Sequence, residues 1–112
     1  MIYIAAPIPQ EMAEEMEDLL RRIRSAEKPS RLSREGADVI MRLTEVCLDY
    51  YYLRSVKALG LGTVAYQATK LGLKTAVSGI SVFVKQSSRM MNDDQVLRLA
   101  DLVEDLILEV DE

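Results

Sequence analysis

The 112-residue sequence has no histidine, no tryptophan, one cysteine and one phenylalanine, and each shortage excludes something. Without histidine the chain lacks the usual general base, the commonest zinc ligand and the acceptor of a histidine phosphotransfer bundle. A di-iron carboxylate bundle needs Glu-x-x-His pairs, so Glu104 and Asp105 have no imidazole to work with. The calcium loop of an EF-hand is also missing. No metal, no cofactor and no catalytic residue are expected. The single Cys47 permits no internal disulfide and, beside an apolar helix seam with no activating base, reads as an inert thiol.

Long uncharged runs are lacking too. The longest weakly charged stretch, 61–84, carries Lys70 and Lys74 near its middle, where a membrane span resists charge. Met1 to Ile4 lack the basic start of a secretory signal. A chain without a transmembrane segment, in the cytoplasm, is the expectation. Apolar residues at 49% and charged residues at 29% lie far from the composition of disordered chains, and this length suits one domain with a modest core.

What is present is helical periodicity, four times over. Met12, Met16, Leu19, Ile23 and Ala26 are spaced by three and four after Pro7 and Pro9, and Pro29 stops the segment. Its acids come early and its arginines late, matching the helix dipole. Ser33 can cap a second helix whose seam is Val39, Leu43, Val46, Tyr50 and Leu53. Gly60 and Gly62 then offer a hairpin turn, or a kink in one very long helix. In the third segment Ala65, Ala68, Gly72, Ala76 and Gly79 line one face, and its wide apolar arc predicts a central helix buried on several sides. Asn92 to Gln95 supply a capping box for a fourth helix with seam Val96, Leu99, Val103, Leu106 and Val110.

The predicted fold is all-α: one domain over 1–112, an up-and-down four-helix bundle. An apolar extended segment covers 1–8, and helices span about 9–27, 34–59, 63–90 and 93–110. The inner helices 2 and 3 exceed the outer helices 1 and 4, so the hairpin tip is left uncovered. Its apolar residues Leu53, Val56, Leu59, Leu61, Val64 and Tyr66 form the expected interface. Two covers stay open for the tip: residues 1–8 folding over it, or a second subunit.

Two phosphate-binding patterns lack their context. Gly60-Leu61-Gly62-Thr63-Val64-Ala65 matches G-x-G-x-x-A, but a helix rather than a strand precedes it. Gly72-Leu73-Lys74-Thr75 lacks the spacing of a P-loop.

Charge is segregated. From Tyr50 to Asn92 there are six bases and no acid, whereas from Asp93 onward there are eight acids and one base, Arg98. Opposite signs on consecutive helices could simply favour their pairing. Alternatively Lys70, Lys74 and Lys85 form a strip for an anionic partner, although net acidity and few aromatics weigh against nucleic acid.

The expected function is therefore a non-enzymatic protein-protein interaction module that self-associates as a homodimer. The alternatives are a carrier of an apolar small molecule or lipid in a cavity beside Ala65, Gly72, Ala76 and Gly79, and peripheral membrane or anionic-partner binding through the lysine strip.

Overall fold

A computed structural model describes residues 5–107. These residues form α1 (Gln10–Ser25), a 3-10 turn at Pro29–Leu32, α2 (Ser33–Leu48), a π-helical turn at Asp49–Leu53, α3 (Arg54–Ala58), α4 (Gly62–Arg89) and α5 (Asp93–Leu106). The π turn joins α2 to α3 without a break in helical backbone, so the path contains four helical rods and, among the described residues, no strand.

The start and stop signals act locally as their chemistry requires. Gly60 takes φ 64° and Gly62 φ 90°, the left-handed region that favours glycine. The Gly60 N–H donates to the Lys57 carbonyl at 3.1 Å and the Leu61 N–H to the Val56 carbonyl at 3.4 Å, the paired bonds of a Schellman helix stop. The chain thereby turns back as a hairpin. Asn92 accepts from the Gln95 N–H while the Gln95 side chain accepts from the Asn92 N–H, both at 2.9 Å, completing the capping box of α5. Ser33 does not cap α2. It is already helical, because the 3-10 turn that begins at buried Pro29 winds directly into the helix.

The hydrophobic core sits at one end, which we call the head. Met16, Leu19, Leu20 and Ile23 of α1 pack with Val39 of α2 and with Val96 and Ala100 of α5. Ile8, Leu32, Leu43 and Val103 close around them. Arg42 on Glu15 and Arg22 on Glu35 lace α1 antiparallel to α2. By that register Gln10 draws level with Cys47, and α1 goes no further.

α4, 28 residues and about 42 Å long at 1.5 Å per residue, packs along α2, the π turn and α3. α5 packs on α1 and the 3-10 turn and has no comparable packing with α4 among the described residues. Distal α2, the π turn, α3 and α4 therefore form an arm that projects from the head. The shape is extended: the radius of gyration is 16.1 Å, against about 13 Å for a compact domain of this length.

Stability should follow this division. Met16→Ala in the head should cost about 2–5 kcal/mol, whereas Asp49→Ala, at an exposed position on the arm, should stay within about 0.5 kcal/mol. Urea unfolding of the two variants measures the contrast.

Candidate functional site

The arm is where the structure departs furthest from an ordinary soluble surface. α4 was expected to be a central helix buried on several sides, and it is not. Ser88 at its foot is its one buried residue, while Tyr66, Thr69, Leu73, Val77 and Val84 are half-buried. These positions follow one helical face, the side toward α2. The physical reason for the correction lies in α5. Of its predicted seam, Val96, Leu99 and Val103, with Ala100 beside them, are taken up by α1 and the first turns of α2, whereas Leu106 is exposed and Val110 lies outside the described residues; among the described residues nothing covers the other side of α4.

That other side is apolar and open. Leu71 is 67% exposed, Phe83 70% and Val82 59%, with Val64 at the distal end and Met90 just past the foot. Between them run the small residues. Ala65 is half-buried, whereas Gly72, Ala76 and Gly79 are exposed, and a Cβ built on Gly72 or Gly79 meets nothing within 4 Å. The expectation that these four line an internal cavity is corrected accordingly: three of them are exposed, and among the described residues the two glycines border open space. The crevice in the head has only about 20 Å³, room for a single water. The two glycines within a bare helix each cost about 1 kcal/mol relative to alanine, and no contact among the described residues offsets that.

Of the residues expected at the hairpin tip, Leu59, Leu61 and Val64 are exposed, and Leu53, Val56 and Tyr66 are half-buried in the hairpin. Val56 and Tyr66 border a shallow groove with Lys57, whose Nζ lies 5.1 Å from the centre of the Tyr66 ring. Of the proposed N-terminal cover, Met1 to Ile4 lie outside the described residues. Ile8 belongs to the head, packed against its core.

The π turn was not legible from periodicity. It holds Tyr50, Tyr51 and Tyr52; the rings of the first two meet edge to face at 5.5 Å, and Tyr52 is exposed. Arg54 donates to the Tyr50 hydroxyl and lies 4.8 Å over the same ring. A run of three bulky residues is the one local signal that could have marked it. The inserted position rephases the helix, so that Val56 again turns toward α4.

Lys70, Lys74 and Lys85 are all exposed on the flank of α4 and pair with no acid among the described residues. The acids of α5 do not reach them. Asp101 and Glu104 hold Arg24 of α1 instead, and Asp93 accepts from the Ser30 N–H at 2.8 Å. The expected charge pairing of the third and fourth helices is thus replaced by pairing of α5 with α1, since α5 lies on α1. Among the described residues no cluster of His, Cys, Asp or Glu could hold a metal, and no helix is long and apolar enough to cross a membrane. No protein-family model matches this chain, and no curated protein or solved structure matches it either.

The titration of the head follows from its ion pairs. The bond from Arg42 holds the Glu15 carboxyl below its ordinary range, and the Ser30 hydroxyl and N–H do the same for Asp93. A carboxyl whose pKa falls on folding contributes stability that is present above its unfolded pKa and lost as pH falls through its folded one. Acidification below the ordinary carboxylate range should therefore weaken the head. Glu15→Gln should flatten part of that slope, as read from thermal midpoints against pH.

Proposed function

We propose that this protein is a non-enzymatic protein-protein interaction module whose working part is the arm. The single observation that carries the reading is the row of exposed apolar residues along the outer side of α4, Val64, Leu71, Val82 and Phe83, with Met90 just past its end and the leucines of the tip beside it. Exposed apolar area of this extent marks an interaction site. The overall surface supports the same reading. The accessible area is 8519 Å², whereas a compact monomer of 12.6 kDa exposes about 6,200 Å².

On this reading the chain keeps the up-and-down order of a four-helix bundle, opened so that its inner hairpin stands clear of α5. It works in the cytoplasm, where the thiol of Cys47 stays reduced. The head serves as the anchor: its core, ion pairs and capping box hold the base of the arm, and the arm offers its outer face to a protein. Small residues among bulky ones suit a helix that approaches closely better than a lipid surface, which favours a continuous bulky face. The lysine strip flanks the contact and tunes it by charge.

A photo-activated benzophenone side chain placed at Leu71 or Phe83 should give covalent protein adducts in cells, and one at exposed Glu45 on the far side of α2 should not. Absence of adducts from both α4 positions would overturn the reading.

A further inference from the structure

We infer that the partner of the arm is a second copy of this chain, laid antiparallel along the outer face of α4 about a twofold axis beside Leu73 and Lys74. The inference rests on the interaction-module reading and supplies its partner.

Area is the first argument. A stable interface takes about 800 Å² from each partner. This chain exposes about 2,300 Å² more than a compact monomer of its mass, an excess over the whole surface to which the outer side of α4 contributes. The exposed side from Val64 to Met90 runs for about 39 Å, long enough for two such rods to cover each other.

Shape is the second, and it selects the direction. Ala65, Ala68, Gly72, Thr75, Gly79 and Val82 recur at alternating intervals of three and four, the spacing of a helix seam. Turned antiparallel about the stated axis, Gly72 faces Thr75 of the copy, Ala68 faces Gly79, and Ala65 faces Val82 with Phe83 beside it. Each bulky residue at an end thus meets a small one, and the middle consists of small residues that allow the backbones to come close. The parallel arrangement instead sets Phe83 on its own copy and Gly72 on its own copy, crowding one layer and emptying another. It also aligns the two helix dipoles, which the antiparallel one opposes. The same antiparallel register carries the exposed Met90 of each copy to the tip of the other, where Leu59 and Leu61 stand uncovered.

The middle of the seam permits a dry contact, while Gln86 and Arg89, which continue it past Val82, leave its ends polar. The Thr75 hydroxyl, on the seam, already donates to the Leu71 carbonyl at 3.1 Å, so the side chain can turn its methyl outward without stranding a donor. The bases Lys70, Lys74 and Lys85 lie off the seam on the flank. Two such flanks carry like charge, and α4 has no acid to offset them, so added salt should tighten the pair.

Sedimentation equilibrium of the full chain at tens of micromolar should return twice 12.6 kDa. Gly72→Leu should weaken the dimer about ten- to a hundredfold by overpacking the closest approach, with unchanged circular dichroism because a side chain there has open space in the single chain. Phe83→Glu should act likewise. A nitroxide pair on Lys85→Cys, in a Cys47→Ser background, should read about 35 Å, the axial offset of an antiparallel pair. A native monomer, a dimer indifferent to both α4 variants, a dimer that loosens with salt, or a short nitroxide distance would each overturn the inference. If the native protein is a monomer while Leu71 still gives adducts with another protein in cells, the arm remains an interaction surface and only the second copy is wrong.

Discussion

The arm depends on one seam, the packing of α4 against α2 and α3. Past the level of Cys47 no part of α1 supports the hairpin, and α5 is committed to the head. Tyr66, Thr69, Leu73, Val77 and Val84 must therefore hold 28 residues of helix to the chain from one side. A helix buried on one side alone gains little apolar burial per residue, while the conformational entropy of ordering it is paid in full. The exposed apolar residues on its outer side therefore weigh heavily in the physics of the molecule, since they are the main reserve of burial the fold has left unused.

The head is built differently, from reciprocal ties. Ion pairs of Arg22 and Arg42 with acids across α1 and α2, and of Arg24 with acids of α5, ring a small core. Exposed pairs of this kind contribute at most about 1 kcal/mol each. Their larger consequence is register: they set which turns of α1 lie against which turns of α2 and α5.

Much of the fold was legible in the sequence because its signals are local. The four periodic segments, the helix stop at Gly60 and the capping box at Asn92 rest on interactions spanning a few residues, and each is realised in the structure. The candidate site was legible only in part. The tip residues Leu59, Leu61 and Val64 are exposed as helix lengths required, but the small-residue face of α4 was read as interior. Hydropathy records that a face is apolar. It does not record whether the partner of that face lies in the same chain.

The sequence by itself determined the helix stop at Gly60 and the cap of α5, which face of each helix is apolar, and that imidazole and disulfide chemistry are absent, because these follow from backbone geometry and residue type. Only the tertiary structure decided that α5 spends its apolar seam on α1 and not on α4. The acids of α5 could have met either Arg24 or the lysines of α4, and its valines could have met either apolar face. That choice turns on the three-dimensional fit of Val96, Ala100 and Val103 among Met16, Leu19, Leu20 and Ile23. Fit between surfaces distant in sequence is carried by no local pattern, and it is what left one side of α4 bare.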